Sequence, residues 1–398
     1  MAKIHITLVG GQPAPVYKGI IDECPNKAIF VCSSSTKEQA NRISKHIEKN
    51  EIKIRENNPN FTLPEFAYEN FDPVDIKEIS DGIKKICGKY IKDADSVSVN
   101  ITSGTKPWSI LFYSYFSKQA NATCFYIDQN DMKYDFTDSD PVEINAPLGI
   151  DGTLNLHNIR VKNQIKLSFY DQSDIDVIPL IHEVRDYNSK QFARLTNDYS
   201  ENPEKRIYDD IDINGNRKGR MKWNKDSNSF YFELDNRKLG KRVWNNNVTS
   251  THISKLMMKT GWFELEVALL LNKWERAGSI QLNNELYFAP RFYGDSTDPT
   301  NEIDIIVEVD QKLLFVECKT GISKITDINK FNDAVKNYGG MGVKLIFFTY
   351  EPMYSNAKKK CDNARIPHFC MKDILNNSMT EEVLFDRLNE YMKATNIR

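Results

Sequence analysis

The sequence lacks the cysteine spacing that disulfide frameworks and zinc sites require. Its seven cysteines lie far apart, none of them form a C-x-x-C pair, and their number is odd. A scattered, odd set is typical of proteins in a reducing compartment, since secreted domains usually pair their cysteines. We therefore expect a cytoplasmic protein without a disulfide framework and without a zinc site.

Long apolar runs and an excess of one charge are missing as well. No stretch approaches the about 20 apolar residues needed to cross a bilayer, and the first residues lead directly into a strand pattern rather than a signal peptide. We therefore expect no membrane contact. The formal net charge is −2, so nucleic-acid binding would depend on local basic patches or on metal ions that offset acidic residues.

The length and the alternation of patterns predict two compact α/β units and a connecting region. The 398 residues, of which 40% are apolar, exceed one typical domain. Over residues 1–145, strands alternate with helical patterns, which predicts a parallel sheet covered by helices. Residues 146–250 show few regular signals apart from a strand near Phe230–Leu234, and we interpret them as a connector with an insertion. From 251 to 398 the strand and helix signals return.

Three polar loops follow three of the predicted N-terminal strands. The first loop contains Gly10, Gly11, Gln12, Pro13 and Ala14, the second Ser33, Ser34 and Ser35, and the third Thr102, Ser103, Gly104, Thr105 and Lys106. Loops beyond the carboxyl ends of parallel strands line the ligand crevice of such sheets. Glycines allow close approach of the backbone, while hydroxyls, backbone N–H groups and a lysine bind phosphate oxygens. We therefore expect a nucleotide or another phosphorylated ligand.

Two common phosphate-binding motifs are absent from these loops. Neither G-x-G-x-x-G nor G-x-x-x-x-G-K-[ST] occurs in the sequence, which argues against NAD binding and against ATP hydrolysis. The alternative that these loops are ordinary strand-to-helix turns remains open, above all for Ser33–Thr36.

Two adjacent strand patterns in the C-terminal third bring acidic residues together. A hairpin between Ile303–Val309 and Leu313–Lys319, centred on Asp310-Gln311, places Asp304 opposite Glu317, with Cβ atoms ~5 Å apart. Lys319 shares their face because residues two apart on a strand point the same way. The reverse face is apolar and contains Cys318, so this cysteine belongs to the core and is not a nucleophile.

Opposed carboxylates repel each other unless a cation lies between them, and oxygen ligands suit Mg²⁺ or Mn²⁺. A neighbouring lysine stabilises charge at a phosphate or orients the attacking water. The arrangement favours metal-assisted phosphodiester hydrolysis. The alternative is an exposed hairpin with incidental charges.

Asp304 followed by Glu317-Cys318-Lys319 resembles the D…(D/E)-x-K signature of the PD-(D/E)XK nuclease superfamily. Ile303 replaces the proline that precedes the family's first aspartate, at a position that varies in the family. The resemblance implies a nuclease core over about 251–398 and an additional acid from an upstream helix, Glu264 or, failing that, Glu266. It also implies that Glu264, Asp304 and Glu317 hold the metal and that Lys319 positions water.

The segments Leu8–Pro13 and Asn100–Pro107 are similar to those of CARF domains, the sensors of type III CRISPR systems. This resemblance implies a homodimer that binds a cyclic oligoadenylate across its two-fold axis. A CARF sensor followed by a PD-(D/E)XK unit resembles CRISPR ancillary nucleases that cyclic tetra-adenylate activates to cleave DNA or RNA. Two alternatives remain, a nucleotide-responsive regulator that binds nucleic acid without cleavage and a ring nuclease that degrades the cyclic oligoadenylate.

The central region also contains basic runs with tryptophans. Arg217–Lys225 and Arg237–Arg242 could contact phosphates while Trp223 or Trp244 stacks on bases. A solvated loop surface explains the same pattern.

Overall fold

The computed structural model describes most of the chain. The described residues are 2–92, 94–136, 140–162, 164–236, 242–257, 260–276, 286–293, 301–321, 326, 328, 329, 331 and 343–394. Within these ranges, no helix has the length and apolar character needed to cross a membrane.

A seven-stranded sheet forms the N-terminal unit. Its strands are β1 (Lys3–Leu8), β2 (Lys27–Cys32), β3 (Glu65–Asn70), β4 (Ser96–Asn100), β5 (Ala122–Ile127), β6 (Met132–Asp135) and β7 (Val142–Glu143). Their order is β3-β2-β1-β4-β5-β6-β7, and the first five run parallel. The strand order reverses between β1 and β4, which is where open parallel sheets bind ligands. The predicted parallel sheet is confirmed.

Helices cover both faces of this sheet. They are α1 (Pro13–Glu23), α2 (Lys37–Lys49), α3 (Glu51–Asn57), α4 (Ile76–Ile86), which continues into a π-helical turn (Cys87–Ile91), and α5 (Lys106–Phe116). In α4, Asp75 accepts hydrogen bonds from the first turn, and Ile79, Ile83 and Ile86 are buried at helical spacing. Helices α1 and α2 pack on one face, whereas α4 and α5 pack on the other.

Residues 146–250 are more regular than the sequence suggested. The elements are α6 (Gly149–Leu156), β8 (Arg160–Lys162), β9 (Ile165–Lys166), a 3-10 turn (Leu167–Phe169), α7 (Gln172–Asp176), α8 (Ile178–Tyr187), α9 (Ser189–Glu201), β10 (Ile207–Ile211), β11 (Arg217–Asn224), β12 (Ser229–Asn236) and β13 (Arg242–Thr249). Strands β10 to β13 form an antiparallel sheet. Its inward residues, among them Met221, Trp223 and Val248, alternate with outward Lys, Arg and Asn, and these polar residues conceal the strand pattern.

The C-terminal unit contains a mixed six-stranded sheet. Its elements are α10 (Ile253–Met257), α11 (Gly261–Arg276), β14 (Tyr287–Phe288), β15 (Arg291–Tyr293), β16 (Asn301–Glu302), β17 (Ile305–Val309), β18 (Lys312–Lys319), β19 (Lys344–Thr349), α12 (Ser355–Ala364), β20 (His368–Cys370), α13 (Met371–Leu375) and α14 (Glu381–Lys393). The strand order is β20-β19-β18-β17-β14-β9. One hydrophobic core extends from α8 and the β10–β13 sheet to α14. The helical pattern near residues 327–337 lies mostly outside the described residues.

The β17–β18 hairpin has the predicted register. Ile305 pairs with Val316 and Val309 pairs with Lys312. The turn residues Asp310 and Gln311 have φ values of 46° and 62°, as the common two-residue hairpin turn requires. Contrary to the expectation of one apolar face, both faces of the hairpin are buried, since side chains from alternate positions enter two separate cores.

Candidate functional site

The end of the β17–β18 hairpin brings three of the predicted side chains together. Lys319 Nζ lies 3.2 Å from Asp304 Oδ2 and 2.5 Å from Glu317 Oε1. The three side chains are partly exposed, whereas Cys318 points to the opposite face and is fully buried. At the end of β18, the alternation therefore places Glu317 and Lys319 on one face and Cys318 on the other, as the sequence predicted.

Backbone geometry fixes the position of Asp304 just before β17. The Cys318 N–H donates a 2.7 Å hydrogen bond to Asp304 Oδ2, the oxygen that also contacts Lys319. Burial raises the pKa of the Cys318 thiol well above its ordinary value. Cys318 thus orients the carboxylate through its backbone, and its thiol is not an activated nucleophile.

Glu264 joins this cluster from the first turn of α11. Its Oε1 accepts a 2.7 Å hydrogen bond from Thr260 Oγ1. Close packing of α11 on α10 depends on Gly261, because a Cβ there would lie 2.3 Å from the Lys255 carbonyl oxygen. The alternative acid, Glu266, instead contacts His182 Nε2 at 3.1 Å on α8. The structure therefore brings together Glu264, and not Glu266, with the hairpin residues.

The cluster contains more carboxyl groups than cations. Burial, together with the charge of Asp304, raises the pKa of Glu264 from 4.5 to about 8. Burial also raises the pKa of Asp304, although Lys319 and the Cys318 N–H oppose this shift. Burial opposes the charged form of Lys319 too, but Asp304 and Glu317 raise its pKa above the ordinary value. Glu264 therefore retains a proton at neutral pH, while Lys319 is charged.

These residues fit a divalent metal in their chemistry. Carboxylate oxygens are the donors that Mg²⁺ and Mn²⁺ prefer, and a divalent cation would relieve the unfavourable burial of Glu264 and Asp304. Among the described residues, the ligand oxygens of Glu264, Asp304 and Glu317 do not all lie within 4.8 Å of one another. The Lys319 ammonium lies between Asp304 and Glu317 instead.

Asp171, Asp174 and His252 form a different cluster, with ligand atoms within 4.8 Å. Asp171 and Asp174 form a capping box at the start of α7. Asp174 also accepts hydrogen bonds from the backbone N–H and from Nδ1 of His252, at 2.8 and 2.7 Å. Because these contacts occupy the carboxylate oxygens, the cluster is explained as a structural connection between α7 and the segment before α10.

The three predicted N-terminal loops meet at the carboxyl edge of the parallel sheet. A Cβ on Gly10 would lie 1.6 Å from the Ser103 carbonyl oxygen, so only glycine permits this approach. Ser103 Oγ donates a 2.7 Å hydrogen bond to the Gln12 carbonyl. The loops after β1 and β4 therefore form one connected surface at the point where the strand order reverses.

Within these loops, some predicted ligand residues face solvent and others do not. Gly11, Ser34, Ser35 and Lys106 are exposed; Ala14, Gln12, Thr102, Ser103, Gly104 and Thr105 are partly exposed; Pro13 and Ser33 are buried. Ser33 Oγ lies 2.8 Å from Ser35 Oγ, and the Ser33 N–H donates to Thr36 Oγ1 at 3.0 Å. These bonds agree with the turn interpretation of the serine loop and leave Ser34 and Ser35 accessible.

Asn100 lies in the segment that resembles CARF domains, and the structure shows that it organises the loops. Its Nδ2 donates to the Pro15 carbonyl at 2.9 Å, and its Oδ1 accepts hydrogen bonds from the N–H and Oγ1 of Thr102 at 3.0 and 2.6 Å. Asn100 is buried, so it holds the loops after β1 and β4 together. The signal in the sequence was an Asn two residues before a Thr, a common pattern of local side-chain to backbone bonding.

The proposed base-stacking role of the central tryptophans is wrong. Trp223 stacks on Phe230 with ring centroids 4.5 Å apart, and Trp244 Nε1 donates to Glu183 Oε1 at 3.1 Å. Both tryptophans are buried. Within the first basic run, three side chains form ion pairs, Arg217 with Glu233, Lys218 with Asp212 and Arg220 with Asp209. Residues 237–241 of the second run lie outside the described residues.

Comparison with known proteins supports the N-terminal interpretation. A family model described as the Card1 CARF domain matches residues 4–148. The N-terminal unit resembles a CARF domain. No curated protein matches the sequence.

Solved structures resemble this chain over most of its length. Can2 from Sulfobacillus thermosulfidooxidans in complex with cyclic tetra-adenylate is 18% identical, with a TM-score of 0.70 over 98% of this chain and 100% of Can2. VC1899 from Vibrio cholerae is 13% identical, with a TM-score of 0.69 over 98% of both chains. A type III CRISPR defence DNA nuclease activated by cyclic oligoadenylate is 14% identical, with a TM-score of 0.52 over 88% of this chain and 45% of that chain. These likenesses concern the fold.

Proposed function

We propose that this protein is a metal-dependent nuclease of type III CRISPR defence that a cyclic oligoadenylate activates. The observation that carries the proposal is the cluster of Glu264, Asp304, Glu317 and Lys319 in a chain whose residues 4–148 match a CARF domain. The substrate is a DNA or RNA phosphodiester, and the activator is cyclic tetra-adenylate.

In the proposed reaction, the chain supplies charge and orientation at one edge of the sheet. Glu264, Asp304 and Glu317 would hold Mg²⁺ or Mn²⁺, and the metal would supply Lewis-acid stabilisation to the phosphoryl oxygens. Lys319 orients the attacking water and offsets negative charge that develops on the phosphate. The Cys318 N–H keeps Asp304 in place throughout.

The proposed activator site is the surface formed by the loops after β1, β2 and β4. Helices α1 and α5 begin directly after two of these loops, and helix N-termini favour anions. Exposed Lys106 adds a positive charge at the first position of α5. Because one subunit offers these groups on one side only, a ring of phosphates is bound best across two copies of the surface.

A homodimer is supported by apolar side chains beside this surface. Ile110 and Tyr113 are exposed on α5, and Tyr126 and Phe136 are exposed nearby. Tyr113 and Phe136 contact each other edge to face, with centroids 4.9 Å apart. An exposed aromatic and aliphatic patch of this kind is typical of protein interfaces, and its continuity with α5 would place Lys106 of each subunit near the two-fold axis.

The β17–β18 hairpin offers a route between the two proposed sites. Gln311 Oε1 accepts hydrogen bonds from the Ala146 N–H at 3.1 Å and from Lys18 Nζ at 3.4 Å. Lys312 Nζ donates to Asn130 Oδ1 at 3.0 Å. The tip of the hairpin thus contacts the N-terminal unit, while the other end of β18 carries Glu317 and Lys319. Because packed cores do not deform gradually, a strand buried on both faces can move as a unit. A displacement of the hairpin tip would therefore reach Glu317 and Lys319 at the other end of β18.

The deciding experiment is a cleavage assay on matched DNA and RNA substrates, with and without cyclic tetra-adenylate and Mn²⁺ or Mg²⁺. We expect cleavage only when activator and metal are both present. Glu317→Ala should abolish cleavage and leave folding and cyclic tetra-adenylate binding intact, whereas Glu266→Ala, on the same helix as Glu264, should retain cleavage. Full activity of Glu317→Ala would contradict the assignment of the site.

The sensor part of the proposal has its own test. Lys106→Ala should weaken activation at limiting cyclic tetra-adenylate without changing metal binding, because it removes a cation from the loop surface alone. Unchanged activation would contradict this part. Binding of nucleic acid without cleavage in the same assays would instead support a regulator, and degradation of the activator by the protein would support a ring nuclease.

A further inference from the structure

A cavity of about 560 Å³ lies between the N-terminal unit and the segment that leads out of it. One wall consists of residues from α1, α2 and α3, and the other consists of residues 145–152 together with β8. This volume lies in the range of sites for nucleotide-sized ligands, about 300–1,000 Å³. No role in the proposed nuclease reaction requires this cavity.

The cavity lies at the opposite edge of the parallel sheet from the proposed activator loops. Helices α1 and α2 begin at those loops and run back along the sheet. The cavity is lined by Tyr17 near the middle of α1, by Ile21 near its end, and by His46 and Lys49 at the end of α2. A six-residue strand spans ~20 Å, so one ligand the size of a mononucleotide cannot occupy both places.

Positive charge dominates both walls of the cavity. Lys49 and Lys53 line the helical wall, while Arg160 and Lys162 line the opposite wall. Asp151 is the carboxylate among the lining residues, and it accepts a 3.0 Å hydrogen bond from Tyr287 Oη. Burial lowers the pKa of His46, which disfavours its charged form. In a chain with a net charge of −2, this excess of cations around one cavity favours an anion.

Apolar and amide groups complete the lining. The side chains of Tyr17, Ile54 and Ile150 are buried and offer an apolar floor. Amide side chains that can serve as donors or acceptors line it as well; they are Asn57, Asn145, Asn155 and Gln164. Asn50 and Asn58 also line the cavity, but their amide nitrogens already donate to the His46 and Ile21 carbonyls. An apolar floor beside hydrogen-bonding amides suits a nucleobase, and cations on facing walls suit phosphates.

We propose that this cavity is a binding site for a nucleoside phosphate. The phosphates lie between the helical pair of lysines and the cations of β8, and the base lies against the apolar floor. Because the two walls belong to the sheet unit and to the segment that joins it to the rest of the chain, the bound ligand holds these parts in one relative position. The site is independent of the proposed nuclease function.

The test is calorimetric titration of the full chain with ATP, AMP, adenosine and inorganic pyrophosphate, in EDTA and with cyclic tetra-adenylate present at saturation. We expect one saturable site per chain for ATP or AMP and weaker binding of adenosine and pyrophosphate. Lys53→Glu combined with Arg160→Glu should weaken nucleotide binding at least about tenfold, since each removes a charge-assisted contact. Lys45→Glu, on α2 but outside the cavity lining, is the matched control.

Three outcomes of the titrations with the parent protein and the cavity variants would overturn the proposal. They are the absence of saturable nucleotide binding, equal affinity for pyrophosphate and ATP, and equal affinity of the double variant and Lys45→Glu. Melting temperatures of all variants establish that they fold, and the single variant Lys53→Glu replaces the double variant if that protein is unstable. Lys106→Ala should retain its affinity for the nucleotide. A loss of nucleotide affinity in this variant would place the nucleotide at the loop surface. That result would overturn the cavity assignment without affecting the proposed activator site.

Discussion

The ammonium group of Lys319 lies between the carboxylates of Asp304 and Glu317, 3.2 Å from the first and 2.5 Å from the second. In this arrangement the positive charge of the lysine offsets the repulsion between the two carboxyl groups, which would otherwise destabilise the fold. The same amine is the group that we propose acts on the phosphate. In this proposal, a structural role and a chemical role coincide in the Lys319 side chain.

Lys319→Met should reduce cleavage by about 100-fold or more, as expected when one group that stabilises transition-state charge is removed. It should also lower the stability of the metal-free protein, because Asp304 loses a charged partner. Added Mn²⁺ should restore part of this stability. Lys273→Met is the matched control, since Lys273 pairs with Glu381 at 2.7 Å on the surface. A variant with full activity would exclude Lys319 from the reaction.

The raised pKa of Glu264 predicts that the free energy of unfolding of the metal-free protein depends on pH. Its pKa rises from 4.5 to about 8 on folding, so the folded state binds a proton that the unfolded state releases. Stability therefore decreases as the pH rises between these two values, by up to about 1.4 kcal/mol per pH unit, and levels off above the higher one. Glu264→Gln removes this contribution.

Urea unfolding of both proteins in EDTA, at several pH values, measures the effect. The stability of Glu264→Gln relative to the parent protein should increase with pH and then become constant. A difference that does not vary with pH would show that Glu264 has an ordinary pKa, and the charge distribution described for the cluster would be wrong.

Gly10→Ala should destabilise the N-terminal unit by about 2 kcal/mol or more, because the new Cβ would lie 1.6 Å from a backbone oxygen of Ser103. Gly11→Ala is a close control, since a Cβ at that position meets no atom within 4 Å. Thermal unfolding compares the two variants. Equal melting temperatures would contradict the close approach of the loops after β1 and β4.

Gln311→Ala tests the route from the sensor unit to the hairpin. It removes hydrogen bonds to the Ala146 N–H and to Lys18 while leaving the loop surface and the acidic cluster unchanged. We expect a severalfold loss of activation by cyclic tetra-adenylate, with unchanged affinity for the activator. Gln172→Ala, which removes an exposed contact to Asp176, should behave as the parent protein does. Normal activation of Gln311→Ala would mean that the signal takes another path.

Much of the fold could be predicted because its determinants are local. The register of the β17–β18 hairpin follows from a two-residue turn and from strict alternation, and these placed Asp304 near Glu317 and Lys319. The strand-to-helix loops of the parallel sheet have similarly clear signals. Of the β10–β13 sheet, the sequence predicted only the strand near Phe230–Leu234, which lies within β12. The other strands were missed because their outward positions carry Lys, Arg and Asn, which conceal buried residues such as Met221.

Long-range contacts could not be predicted from the sequence. Nothing local indicates that Gln311 bonds to Ala146, or that Glu264 rather than Glu266 faces the hairpin, since two helical residues so close in sequence differ only in their direction around the axis. The charged pairs of Lys319 depend on the register, but the raised pKa of Glu264 depends on how closely α11 packs on β18. Such packing is decided by the assembled fold.

The shared core has a practical consequence for how this protein can be divided. Val184 and Phe232, from the region before residue 250, pack in the same core as Leu271 and Phe348. A fragment that begins at residue 251 would expose the C-terminal half of that core to water and would be expected to aggregate. The intact chain, altered by point substitution, is therefore the proper material for testing the proposed sensing and the proposed cleavage separately.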